Sequence, residues 1–250
     1  MIAAHASLPR GRRGGARNSA SRESWGLKSE QIENVTAAAR HALCLGLPLT
    51  RFITLHWKAG GVTLERMVLA TGHLLEMATK WLVRQGSATA WIYVHENGEE
   101  EGWHGHILLH LPAELALLFV RRQRSWIARI CEGKYTKGTM RGRIVGSRLG
   151  IEHSHPELYL HNLDRCVGYI IKQTSLATAR QNGLTRTVQP GLVIGKRAGT
   201  SQNIGSAARQ SCRSGRCNQF AGHNLQVTPP PQAIAPHWLQ EQRRSLGRVA

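Results

Sequence analysis

Apolar positions along this chain recur in two rhythms, and the rhythms divide it into elements. Leu64, Met67, Val68, Leu74, Leu75, Trp81 and Leu82 follow a helical period, with Thr63 placed to cap the start and Gly86 the end. Leu115, Leu118, Phe119, Trp126, Ile127 and Ile130 mark a second amphipathic helix. Leu163, Cys166, Val167, Ile170 and Ile171 mark a third, opened by Asn162 or Asp164. Residues 30–45 suit a further helix, ended by Gly46 and Pro48. Between them lie short β-branched and aromatic runs: Arg51 to Trp57 (RFITLHW), Ala88 to Glu96, and Trp103 to Leu111, where Pro112 stops the ladder for want of a backbone donor. Leu158 to Leu160 reads as a short fourth strand, and residues 132–156 as an irregular, glycine-rich, basic connection.

The resulting order, β-α-β-β-α-β-α, predicts an α+β fold: a ferredoxin-like (split βαβ) antiparallel sheet with helices packed on it. Residues 1–29 lack hydrophobic periodicity and are rich in Arg, Gly, Ser and Ala, which predicts a basic disordered arm. Residues 30–197 form the expected folded domain, and 198–250 a basic tail containing Gly, Ser and Pro.

Charge sharpens this picture. Thirty-three Lys and Arg against fifteen Asp and Glu give a net charge of +18. The natural partner of such a surface is a polyanion, bound with release of phosphate counterions. The density peaks at 121–148, with nine basic residues against one acid, Glu132. Arg121, Arg122, Arg124, Arg129, Lys134, Lys137, Arg141 and Arg143 are therefore candidate DNA-binding residues, interleaved with Trp126 and Tyr135. No apolar run reaches the roughly 18 residues of a spanning helix, so no membrane partner is expected. The N-terminal stretch has no apolar core of signal-peptide length, and the five cysteines are irregularly spaced. Both point to the cytoplasm.

One stretch breaks the apolar pattern. In HENGEEEGWHGHILLHL, residues 95–111, His104, His106 and His110 share one face of a strand while Trp103, Ile107, Leu109 and Leu111 share the other. Glu96 lies eight residues before His104, and pairing it opposite His104 or His106 adds a carboxylate to their face. Two imidazoles and a carboxylate make a three-point site with open positions, suited to Mn²⁺, Mg²⁺ or Zn²⁺. A glycine within a strand, as Gly105 is between the histidines, often marks a close approach by another backbone or a ligand, which is consistent with a site. A second stretch, CVGYIIKQT at 166–174, sets Tyr169 and Lys172 three apart, off the apolar stripe of the helix. A nearby ammonium or metal favours the phenolate of such a tyrosine.

Together these motifs resemble the HUH endonuclease superfamily, and more narrowly its single-tyrosine, Rep-like initiators of rolling-circle replication. H-x-H on a strand is followed some sixty residues on by Y-x-x-K on a helix, and RFITLHW stands where that family has its first motif. The likeness covers residues 50–175. It implies that His104 and His106, with Glu96 as third ligand, hold a divalent ion, Mn²⁺ or Mg²⁺. Tyr169 would attack a phosphate of single-stranded DNA, leaving a 5′-phosphotyrosine link and a free 3′-OH, with Lys172 positioning the phosphate or metal. The implied partner is single-stranded DNA or a DNA hairpin at an origin. GLVIGKRAG fails the phosphate-loop pattern, so a separate helicase would do the unwinding. Gln173, four residues after Tyr169, is the alternative third ligand, since single-tyrosine transposases of the superfamily use a glutamine there. A non-catalytic nucleic-acid-binding module on the same sheet also accounts for the charge and the tryptophans.

Other signals rank lower. Tyr159 is a competing nucleophile without a lysine three residues on; His153, His155 and His161 read as a wet loop; Cys212 and Cys217 lack a second pair. His56 and His95 are expected near the edge of the sheet, His95 pointing away from Glu96.

Overall fold

The structure, a computed structural model, describes residues 21–212. Its elements in order are β1 (Glu23–Ser24), α1 (Ser29–Cys44), β2 (Arg51–Leu55), α2 (Met67–Arg84), β3 (Trp91–Gly98), β4 (Gly102–Leu109), α3 (Ala116–Ile130) and β5 (Met140–Ile144). These are followed by α4 (Ile151–Ser154), α5 (Pro156–Ile170), α6 (Leu176–Gln181), β6 (Val193–Ile194), β7 (Ala198–Thr200) and α7 (Ser206–Ser211). The main sheet has five strands, ordered β5-β2-β4-β3-β7, and every pairing is antiparallel. A small ladder joins β1 to β6.

The fold is α+β, and its centre has the order of a split βαβ: β2-α2-β3-β4-α3-β5. Strand alternation explains the two cores. Ile53, Leu55, Ile107 and Leu109 face α2 and α3, meeting Met67, Leu74, Leu75, Phe119, Trp126 and Ile127. Phe52, Ile92, Val94 and Leu108 face the other way, against Val35, Ala38 and Ala42 of α1 and Leu163, Val167 and Ile170 of α5. His104 and His106 are in phase with Leu108, so they look toward α5.

Three expectations are corrected. Leu158–Leu160 is helix, inside α5, which begins at Pro156 rather than at Asn162 or Asp164. Leu158 and Leu160 are exposed while Tyr159 is buried, so a helix surface here mimics strand alternation. Pro156 at the first helical position, where its missing N–H costs nothing, was the signal for the start. The fourth strand is instead Met140–Ile144, whose sequence MRGRI carries no apolar alternation because it is an edge strand with its arginines in solvent. The sheet also runs past residue 197: Ala198–Thr200 adds alongside β3, so β3 is an inner strand. Residues 1–20 and 213–250, including Cys217 and most of both basic tails, lie outside the described residues.

Candidate active site

The β3–β4 hairpin sets the register of the site. Gly98 pairs with Gly102, whose φ of +65° suits the left-handed conformation needed to close the turn. Counting back places Glu96 directly opposite His104, while His106 lies between Val94 of β3 and Thr54 of β2. Glu96 Oε2 is 3.2 Å from His104 Nε2 and 3.5 Å from His106 Nε2. The three residues are buried, and their ligand atoms all lie within 4.8 Å of one another.

This group can hold a metal ion, and its outer contacts suit one. His104 Nδ1 is 2.8 Å from the carbonyl of Gly102; a carbonyl only accepts, so Nδ1 donates there and Nε2 is the ring atom turned to Glu96. His106 Nδ1 meets Thr54 Oγ1 at 3.1 Å. His106 Nε2 and Glu96 Oε1 are buried with no hydrogen-bond partner, which a bound cation would satisfy. Burial alone raises the Glu96 carboxyl, but His104, His106 and the Lys172 ammonium outweigh it and hold the group well below the usual carboxylate range. Burial likewise lowers His106 to about 4, keeping it neutral against the pull of Glu96.

Tyr169 and Lys172 join this group from α5. Tyr169 occupies the last turn of the helix, and Lys172 lies just beyond its end rather than on it. The Tyr169 ring stands edge-on to His106, centroids 5.1 Å apart, and edge-on to Phe52 at 6.1 Å. The Lys172 ammonium donates to Glu96 Oε2 and sits 4.0 Å from the centre of the Tyr169 ring. Burial lowers the Lys172 ammonium and Glu96 opposes that. The Tyr169 phenol is raised by burial, then by Glu96 and Glu101, while Arg186 and Arg143 pull it down. Without further positive charge the tyrosine keeps its proton.

Gln173 is turned elsewhere. It bonds the β3 backbone at Asn97 in both directions, its Oε1 accepting from Asn97 N at 3.2 Å and its Nε2 donating to Asn97 O at 3.3 Å. Arg197, buried, also donates to Gln173 Oε1 at 3.4 Å. The competing tyrosine, Tyr159, is buried, and its hydroxyl donates to the carbonyl of Leu49 at 3.3 Å.

The basic candidates divide between the two faces of the sheet. Arg121, Arg122, Arg124 and Arg129 are exposed on α3, which covers the face opposite the histidine site. Lys134 and Lys137 are exposed in the connection that follows. Arg141 and Arg143 pair with Thr54 and Phe52, so they share the histidine face, with Arg143 lying 4.7 Å over the Phe52 ring.

Several residues at the site carried no expectation there, and His56, expected near the edge of the sheet, follows the inner strand β2. Phe52 stacks on His106 at 5.6 Å, and His56 stacks on His104 at 5.7 Å. With Thr54 they form the alternate positions of RFITLHW, and reading that strand by faces would have found all three. Glu101 Oε2, from the hairpin tip, is 3.5 Å from His104 Nε2. Arg186 lies 5.5 Å from the Tyr169 ring centre, and nothing in TRTVQPG announces it. His95 is not near an edge: it is fully buried on the face away from Glu96, as β7 covers β3. Its Nδ1 donates to the carbonyl of Lys196 at 3.1 Å, and its Nε2 meets Thr71 Oγ1 at 2.8 Å. Gly105 is closely approached from that same side: a Cβ there would lie 3.3 Å from the His95 ring. His110, past the end of β4, is tied to the Pro48 carbonyl at 2.8 Å. His153, His155 and His161 are exposed.

No protein family model matches the sequence, and no curated protein matches it. Among solved structures there is a slight likeness to the N-terminal nuclease domain of minute virus of mice non-structural protein 1. It has 14% identity over 38% of this chain and 36% of that one, with a TM-score of 0.22. That domain is described with a unique Zn²⁺ coordination in its active-site pocket and a novel mode of DNA recognition at the origin of replication. A likeness this slight has no bearing on the chemistry of the present chain. Among the described residues, no helix is long and apolar enough to cross a membrane.

Proposed function

We propose that this protein is a metal-dependent nickase and strand transferase of single-stranded DNA, of the HUH type, with Tyr169 as nucleophile. The observation that carries the reading is the contact of the Tyr169 ring with His106, inside a group whose Glu96 also receives Lys172. A tyrosine beside a buried two-histidine, one-carboxylate group is what phosphoryl transfer to tyrosine needs.

Glu96, His104 and His106 would hold Mn²⁺ or Mg²⁺. Such an ion supplies Lewis-acid polarisation of the scissile phosphate. The chain's own residues do the rest. Tyr169 Oη forms the new O–P bond, the bond from phosphorus to the 3′-oxygen breaks, and the phenol proton is replaced at the end by one on the released 3′-oxygen. Lys172 holds positive charge against both Glu96 and the aromatic ring. The 3′-hydroxyl can then prime synthesis or rejoin. Engagement of Gln173 with Asn97 leaves the third ligand to Glu96, which favours the rolling-circle initiator over the transposase. In this reading the substrate is single-stranded DNA or a hairpin at an origin, opened by a separate helicase.

The test is covalent capture. The protein is incubated with Mn²⁺ and a library of 3′-labelled single-stranded DNA, and SDS-stable adducts are sequenced. Wild type should retain labelled DNA, and EDTA or Tyr169→Phe should abolish it. Equal adduct from Tyr169→Phe removes the nucleophile assignment; no adduct on any DNA leaves the non-catalytic binding module as the better reading.

A further inference from the structure

Tyr169 is flanked by a cation that the nuclease reading above does not use. Beyond α6 the chain turns back past the end of α5, where Val188 N donates to the Lys172 carbonyl at 3.0 Å. This return carries Arg186 to the tyrosine, its guanidinium carbon 5.5 Å from the ring centre. Lys172, the other cation over that ring, is committed to Glu96. The nearby Glu101 carboxylate is directed at His104. No carboxylate forms an ion pair with Arg186 among the described residues. Arg186 is therefore an exposed, uncommitted guanidinium fixed beside the hydroxyl-bearing ring. A guanidinium is a planar fork of donors matched to two oxygens of a phosphate, whereas an ammonium already engaged by a carboxylate is a poor second choice.

We infer that Arg186 is a substrate-binding residue of the proposed reaction, gripping a non-bridging oxygen of the scissile phosphodiester while Tyr169 faces the phosphorus. The inference rests on Tyr169 being the nucleophile. It assigns Lys172 to the carboxylate and the aromatic ring, and Arg186 to the phosphate. Arg186 contributes charge and orientation, which grow in value as the phosphorus gains a fifth oxygen.

The experiment uses the full chain and an oligonucleotide recovered by the covalent capture. Single-turnover adduct formation is measured for wild type, Arg186→Ala and Arg186→Lys, on the natural phosphodiester and on a methylphosphonate at the cleaved bond. Arg186→Ala should lower the saturating rate on the phosphodiester by about 100-fold, and Arg186→Lys should recover part of it. On the methylphosphonate, which lacks one charged oxygen, wild type and Arg186→Ala should come within a few-fold of each other. Equal losses on both substrates would mean a structural role and overturn the inference, as would a phosphodiester rate unchanged in Arg186→Ala. A second arm needs no cleavage: in EDTA, binding of fluorescein-labelled oligo(dT) is followed against salt. Loss of one phosphate contact should reduce the slope of log K on log salt by about 0.7 in Arg186→Ala. If wild type forms no adduct on any DNA, the nuclease reading falls. An unchanged slope then overturns the assignment of Arg186 to phosphate as well.

Discussion

Glu96 and Lys172 are an ion pair sealed in the protein: the Lys172 ammonium donates to Glu96 Oε2, and the two side chains are 8% and 1% exposed for lysine and glutamate respectively. The pair ties β3 to the end of α5, so the strand that supplies a carboxylate is linked directly to the segment that supplies the tyrosine.

Breaking the pair from one side should therefore cost stability before any metal is added. Glu96→Gln leaves a buried ammonium without its carboxylate and should lower stability by about 3 kcal/mol in EDTA. Glu96→Gln combined with Lys172→Met removes both charges and should regain more than half of that loss. Urea unfolding of the two variants and wild type decides it; equal stability of the single and double variants would show that the pair carries no coupling. Calorimetry with Mn²⁺ should meanwhile show binding to wild type weakened at least 10-fold by His106→Ala.

Acid should destabilise the metal-free protein earlier than ordinary carboxylate protonation would. Burial lowers both His95 and His106 to about 4, against an unfolded value of about 6.5. The unfolded chain thus binds more protons than the folded one between those values. Stability rises with pH across that window, present in full above about 6.5 and lost as pH falls toward 4. Each histidine adds up to one proton, or about 1.4 kcal/mol per pH unit. Urea unfolding in EDTA between pH 4.5 and 7 should show this slope, reduced by about one proton in His106→Asn.

The sequence made the site more legible than the sheet. His104, Glu96 and His106 could be placed on one face because strand parity is rigid and a hairpin register follows from its turn. Tyr169 lay within a strongly amphipathic helix, so its position near a sheet face was also readable. MRGRI was hidden because an edge strand with one solvated face need not show apolar alternation. Ala198–Thr200 was hidden because three residues carry too little pattern to see, and missing it misplaced His95. The division of the arginines between two faces could not be read at all. Charge density along the chain does not reveal which side of a sheet the next helix covers.

The two tyrosines of α5 should separate cleanly. Tyr159 is 1% exposed and its hydroxyl is spent on the Leu49 carbonyl. Tyr159→Phe should cost about 1 kcal/mol of stability and leave adduct formation with DNA intact. Tyr169→Phe, whose hydroxyl anchors nothing buried, should melt close to wild type and form no adduct. Thermal melts alongside the covalent capture test both halves, and adduct lost in Tyr159→Phe at unchanged stability would reverse the assignment.

Gly105, between the two histidines, answers to the opposite face of the sheet rather than to the metal group. A Cβ there would sit 3.3 Å from the His95 ring, with Thr71 Oγ1 and Trp57 Nε1 at 3.6 Å. The His95 ring is held at both nitrogens, and Trp57 Nε1 donates to Thr71 Oγ1 at 2.9 Å. The ring cannot give way without breaking this chain of bonds. Gly105→Ala should thus destabilise by about 1–3 kcal/mol as an overpacking change, although alanine ordinarily gains a few tenths over glycine through the unfolded state. In a His95→Ala background the obstacle is gone, and the same substitution should become neutral or stabilising. The coupling between the two sites should then exceed about 1 kcal/mol in a double-mutant cycle. Additive effects would mean that the glycine is needed for something on the histidine face, where the proposed metal ligands are.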